Sequence, residues 1–272
     1  MPDWLHYMLL AILQGIAEIL PISSSGHLAL YQAVFNVNEG FEGTFSILLH
    51  LGSLGALILY FFPTLWRLFL SLGDAYFFNK KTPSIKEDVS LIGYLLVASI
   101  PAGIVGILIA DEIDSIFANL AFVGIGFFLT SLLLWFVYRQ SNAEKGKDTH
   151  SLQASLFAGF AQMLGIFPGV SRSGSTISGA LIAKLSLAKA KELSFLMFLP
   201  ITAGSLLVSL DELGAIPANQ MWMMILATLL SGVTTYVTLS LVFKHLKVKH
   251  FPYFSVYLVV IGTLTLLLAW LP

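Results

Sequence analysis

Residues 152–183 read LQASLFAGFAQMLGIFPGVSRSGSTISGALIA, two short apolar runs broken at Pro168-Gly-Val-Ser-Arg-Ser-Gly174. Neither run has the roughly 20 apolar residues that a helix needs to cross the hydrocarbon. Both flanks are basic: Arg139, Lys145 and Lys147 precede the segment, and Lys184, Lys189 and Lys191 follow it. Basic loops are cytoplasmic under the positive-inside rule, so the segment must enter and leave on the same side. The pattern predicts a re-entrant hairpin of two half-length helices. Its Gly/Ser/Pro tip must be buried in protein or line a wet cavity, because irregular backbone is tolerated at membrane depth nowhere else.

The rest of the composition agrees with a membrane location. Of 272 residues, 57% are hydrophobic and 11% charged, less than half the roughly 25% charged residues usual in soluble domains. The 29 Asp, Glu, Lys and Arg residues are too few to coat a soluble fold of this size. Disorder, collagen and coiled coil are excluded, and a net charge of −1 leaves no basic footprint for nucleic acid. The absence of cysteine rules out disulfides, Cys-based zinc sites and iron–sulfur clusters. No cationic leader precedes the first apolar run at Met1-Pro2-Asp3, so no cleaved signal peptide is expected.

Six runs without an acidic or basic residue are long enough to span: about 44–62, 91–110, 118–138, 193–210, 220–243 and 251–271. Trp66, Trp135, Trp222 and Trp270 sit near their ends, as interfacial belt residues do. The loops near 63–90, 139–151, 184–191 and 244–250 hold 13 of the 14 basic residues. The alternate loops carry acids: Glu39 and Glu42, then Asp111, Glu112 and Asp114, then Asp211 and Glu212. Residues 4–35 are also broken, at Pro21-Ile-Ser-Ser-Ser-Gly-His27. A shift of 148 residues lays Gln14 on Gln162, Ser23 on Ser171, Ser25 on Ser173 and Gly26 on Gly174. Three spans follow each broken segment. The expected fold is therefore an all-α integral membrane protein, one membrane domain over 1–272. It has six transmembrane helices and two re-entrant helical hairpins in an inverted-topology repeat, about 1–140 and 150–272. Charge alone also permits a single crossing by 4–20; the first hairpin rests on the repeat.

Once the loops are assigned, Glu18 and Arg172 are left at membrane depth, where an isolated charge costs about 2.5–3.5 kcal/mol. A structural ion pair pinning the tips together is the plain alternative. The neighbours ask for more: Gln14, Ser23, Ser24, Ser25, His27, Ser171, Ser173, Ser175 and Thr176 crowd the two breaks. Arginine's planar fork suits phosphate oxygens, and a helix starting near Ser173 would aim its positive end at the same spot. Glu18 follows Gln14 by four residues and shares its helix face. Serine becomes a nucleophile beside a base such as His or Glu. Together these residues point to phosphoryl transfer. Ser24 is the candidate nucleophile, His27 or Glu18 its base, and Arg172 with Ser173 and Thr176 the phosphate cradle; direct attack by a water is the close variant. His6, His50, His150, His245 and His250 have no such company and are read as packing or interfacial residues. Gly52, Gly55, Gly103, Gly106, Gly124 and Gly126 are read as close helix contacts. On architecture alone, a lipid-phosphate transporter or flippase is the competing class.

The stretches Gln14-Gly-Ile-Ala-Glu18-Ile-Leu-Pro-Ile-Ser-Ser-Ser-Gly-His27 and Gln162…Pro168-Gly-Val-Ser-Arg-Ser-Gly-Ser-Thr176 resemble the undecaprenyl-diphosphate phosphatase family of bacterial inner membranes, the one linked to bacitracin resistance. The resemblance runs over essentially the whole chain. It implies hydrolysis of a C55 prenyl diphosphate to the monophosphate and inorganic phosphate, which recycles the lipid carrier for cell-wall glycans. It further implies a divalent cation (Mg²⁺ or Ca²⁺), a site open to the periplasm, and a homodimer. Residue by residue, it puts the acidic motif on Gln14 and Glu18, the proposed nucleophile on Ser24 and the histidine on His27. The phosphate-binding set falls on Ser171, Arg172, Ser173 and Thr176, with Ser23 and Ser25 beside it. Gln14 stands where the family can carry a second carboxylate, so Glu18 is the metal residue and substrate phosphates must supply the rest.

Overall fold

A computed structural model describes residues 3–35, 37, 43–109, 115–116, 119–140, 146–208 and 221–270. The acidic loop residues Glu39, Glu42, Asp111, Glu112, Asp114, Asp211 and Glu212, and the basic Lys145, lie outside the described residues. The described chain is helical: α1 (Asp3–Ala17), α2 (Ser24–Phe35), α3 (Gly43–Tyr76), α4 (Pro83–Leu108), α5 (Leu120–Arg139), α6 (Leu152–Leu164), α7 (Arg172–Ile182), α8 (Leu187–Val208), α9 (Met221–His245) and α10 (Phe251–Ala269). Helices α3, α4, α5, α8, α9 and α10 are long and apolar enough to cross a membrane, whereas α1 and α6 fall short. These six match the six runs expected from sequence.

Local chemistry explains where the helices start. Thr82 caps α4 ahead of Pro83, Asn119 caps α5, Ser151 caps α6 and Ser171 caps α7, each with its side-chain oxygen on a first-turn N–H. Several helices run further than the apolar windows. The polar stretch 63–90 is helical at both ends: α3 continues through Pro63 to Tyr76, and α4 begins at Pro83. The polar residues there mark the end of the hydrocarbon, not of the helix. Arg67 on α3 and Asp88 on α4 pair at 3.2 Å across the two extensions. Lys189 and Lys191 likewise belong to the first turns of α8. Lys191 is buried, and its ammonium donates to the carbonyls of Val242 and Phe243, closing the end of α9.

Each short pair of helices folds back on itself. In the first, His6 Nδ1 lies 3.0 Å from the Tyr31 hydroxyl, so the start of α1 lies beside the end of α2. In the second, Gly165 abuts Arg172, and Gly179 abuts Phe157 and Ala161. The chain before α6 meets the chain after α7: Lys147 N donates to Lys184 O, and Ser186 N donates to Lys147 O. The long helices wrap these pairs: α1 packs on α9, α6 on α4, and α5 on α10. Helix α5 is the platform under both tips. A Cβ on Gly126 would collide with the Pro168 carbonyl, one on Gly169 with the Val123 carbonyl, and one on Gly26 with the Phe127 ring. Gly169 also has φ +77°, the left-handed region that glycine enters freely. Gly52 and Gly124 are close contacts as expected, but Gly55, Gly103 and Gly106 face open space. Small size in an apolar run does not by itself say which side a neighbour occupies.

Candidate active site

The two breaks meet, and the charged pair sits between them. Glu18, 5% exposed, follows α1; Pro21 then turns the chain, and Ser23 takes φ +72° before α2 begins at Ser24. Such a φ is uncommon for a residue with a Cβ. Ser23 also bonds locally: its Oγ accepts from Gly26 N at 3.2 Å and lies 3.4 Å from Ser25 Oγ. The second tip repeats this arrangement. Ser171 Oγ accepts from Gly174 N at 3.0 Å and lies 3.3 Å from Ser173 Oγ. Thr130 on α5 holds the second turn by accepting from Ser171 N at 2.9 Å, and Ser173 Oγ donates to the Leu20 carbonyl of the first tip at 3.2 Å.

Glu18 is the hub. Arg172 Nη2 donates to Glu18 Oε1 at 2.5 Å. Its other oxygen, Oε2, accepts from Ser24 Oγ at 2.7 Å and from Gln14 Nε2 at 2.9 Å. A carboxylate accepts through four lone-pair directions, so one Glu can serve all three donors. The guanidinium lies over the Phe198 ring of α8, 4.0 Å from its centroid, which fixes its plane. Two polar atoms in this buried cluster have no partner: Arg172 Nη1 and Gln14 Oε1. An unpaired buried donor and acceptor are costly unless something else fills the site.

The structure thus joins Gln14, Glu18, Ser24 and Arg172 in one bonded group, with Ser173 linking the tips. The remaining candidates sit around it. Both ring nitrogens of His27 are taken up away from Ser24: Nδ1 by the Ser23 carbonyl at 2.7 Å, and Nε2 by the Tyr257 hydroxyl at 2.6 Å. Because a carbonyl only accepts, Nδ1 carries the hydrogen, and Nε2 accepts from Tyr257. Thr176 Oγ1 turns back onto the Arg172 carbonyl at 2.9 Å and lies 2.5 Å from Ser194 Oγ, against α8. Ser175 is buried with its hydroxyl unpaired.

One expectation is corrected. His50 is not merely a packing residue: its Nε2 lies 3.6 Å from Glu18 Oε2, while Nδ1 is anchored 2.8 Å from the Ser46 carbonyl. The His50 side chain is 31% exposed, against 5% for Glu18, so it stands on the open side of the carboxylate. Tyr257 and Phe198 also escaped the sequence reading, since aromatics in apolar runs look alike whether they face lipid or a polar site.

The match to known proteins covers the same tips. The model of the family described as bacitracin resistance protein BacA matches residues 7–264. An undecaprenyl-diphosphatase of Bacillus thuringiensis (strain Al Hakam) is 34% identical over 266 residues, 97% of each chain. One from Methanosphaera stadtmanae is 33% identical over 278 residues, 99% of each, and one from Acholeplasma laidlawii is 32% identical over 98% of this chain and 97% of its own. Matched from α1 to α10 with both tips included, this multi-pass membrane chain belongs to the bacitracin resistance protein BacA family.

Proposed function

We infer that this protein hydrolyses undecaprenyl diphosphate to undecaprenyl phosphate and inorganic phosphate, as the names of its relatives state for them. The observation that carries the reading is Glu18 held between the hydroxyl of Ser24 and the guanidinium of Arg172. Transport of a lipid phosphate draws no support from those names.

Phosphoryl transfer needs positioning and charge stabilisation more than covalent chemistry. The free Nη1 of Arg172 is a ready donor to a phosphate oxygen, and the Phe198 ring holds the fork flat for it. Arg172 is also the first residue of α7, so the positive end of that helix lies beside it. Ser24 Oγ attacks the terminal phosphorus, its proton passes to Glu18 Oε2, and undecaprenyl phosphate leaves. A water then attacks the phosphoserine, releasing inorganic phosphate and restoring the Ser24 hydroxyl. Glu18 serves as base because it already accepts from Ser24, whereas His27 is engaged elsewhere and braces the first turn. The test is phosphate release from purified protein in detergent, wild type against Ser24→Ala, with rapid-quench trapping of a phosphoserine. Full activity in Ser24→Ala would remove the nucleophile; lost activity without a trapped intermediate would favour direct attack by water.

The residues fit a divalent cation. Glu18 is a carboxylate, and Gln14 Oε1 is a buried carbonyl oxygen with no partner one helical turn away. Among the described residues no three His, Cys, Asp or Glu gather, so Gln14 and Glu18 would hold the ion together with substrate oxygens, as Mg²⁺ commonly binds. When bound, it would neutralise diphosphate charge.

The architecture we propose is two re-entrant hairpins in an inverted repeat. The paired ends of each hairpin support the first part. The duplicated serine caps support the second, as does the reciprocal packing of α1 on α9 and α6 on α4. The basic loops support a cytoplasmic placement of that face in the inner membrane. The site then opens outward past His50, near the start of α3.

A further inference from the structure

Helices α2 and α10 meet at one polar contact. His27 and Tyr257 stack with planes 6° apart and centroids 5.6 Å apart, joined by the 2.6 Å hydrogen bond. Elsewhere α2 packs mainly on α1 and α5, and α10 on α5. Between α2 and α10 lies an apolar groove of about 440 Å³, lined by Leu30, Val34, Ile261, Leu264, Leu267 and Leu268. Leu30 and Val34 follow His27 by three and seven residues; Ile261, Leu264 and Leu268 follow Tyr257 by four, seven and eleven. That spacing keeps them on the helix faces that carry the stacked pair. The groove therefore begins one helical turn beyond the His27–Tyr257 pair, at Leu30 and Ile261.

We propose that this groove seats the first isoprene units of the prenyl diphosphate, with the His27–Tyr257 pair as the boundary between headgroup and tail. The wall is made of aliphatic side chains alone, which excludes a polar occupant. The volume falls within the 300–1,000 Å³ of ordinary ligand pockets. A tail tethered to a diphosphate bound at Arg172 meets the groove at high effective concentration, an advantage that no free bilayer lipid has. The second groove, between α5 and α10, is lined by Ser131 and Ser255 as well as apolar residues and lacks this continuity with the site.

The inference rests on the hydrolase reading, and its test separates the two. Full-length protein carrying Leu30→Trp or Leu264→Trp is assayed on undecaprenyl diphosphate and on methyl diphosphate, which has no isoprene unit, with Leu132→Trp in the second groove as control. Filling the α2–α10 groove should raise KM for the C55 substrate by about tenfold at unchanged kcat. Hydrolysis of methyl diphosphate by these variants, and both activities of the control, should be unaffected. Equal KM shifts for both substrates, or no shift for C55, would overturn the groove. As a second readout, a prenyl diphosphate analogue with a benzophenone near its diphosphate end should cross-link to α2 or α10. Labelling confined to other helices, or a protomer–protomer cross-link through the groove, would overturn it too. Wild-type protein that hydrolyses neither substrate would instead sink the hydrolase reading.

Discussion

Arg172 and Glu18, 154 positions apart in the chain, share a hydrogen bond of 2.5 Å at the place where the two broken helices meet. Glu18 is 5% exposed and the Arg172 side chain 14%, so neither charge could remain there without the other. Removing one partner of such a pair typically costs about 3–5 kcal/mol, because an uncompensated charge is left buried. Glu18→Ala should therefore unfold well below the wild type in a detergent thermal melt, besides losing activity. Glu18→Gln keeps the shape and a carbonyl acceptor for Ser24, so it should recover part of the stability but little of the turnover. Equal melting of wild type and Glu18→Ala would mean that the pair is not closed as described.

The glycines divide into two groups with opposite expected behaviour. Gly126→Ala drives a methyl into the Pro168 carbonyl that anchors the second tip on α5. It should cost about 1–3 kcal/mol, the usual range for overpacking, and lower phosphate release by displacing Arg172. Gly103→Ala and Gly106→Ala meet nothing within 4 Å, and should leave activity unchanged with stability equal or slightly higher, since alanine favours the helix by up to about 1 kcal/mol. Thermal melts and phosphate release on the three variants check this together.

Chelation should separate catalysis from folding. If Glu18 and Gln14 hold a divalent ion mainly through the substrate, EDTA should abolish phosphate release and added Mg²⁺ should restore it. The melting temperature without substrate should not move. A large EDTA-induced drop in melting temperature would point to a resident structural metal instead.

Sequence and structure agree most closely where chemistry is local. The second tip was readable because Pro168-Gly169 breaks an apolar run and basic residues flank it on both sides. The first tip was readable through its likeness to the second, and both turn out to carry the same serine cap three residues before a glycine. What lay hidden depends on packing between distant helices. His50 sits inside the run Phe45-Ser-Ile-Leu-Leu-His-Leu-Gly52 and gains its role only because α3 carries it to Glu18. Tyr257 and Phe198 acquire theirs in the same way, from α10 meeting α2 and α8 meeting α7. The polar stretch 63–90 reads as loop but is largely helix, because charge reports where hydrocarbon ends and helices continue past that boundary.

The central claim, that the two tips form one catalytic unit, is tested most directly by a double-mutant cycle on kcat/KM with Glu18→Gln, Arg172→Lys and the double variant. Residues acting as a unit are strongly non-additive. The account predicts that each single change lowers kcat/KM by about 10²-fold or more, and that the double variant is scarcely slower than either. Losses that multiply, as for two independent sites, would contradict it.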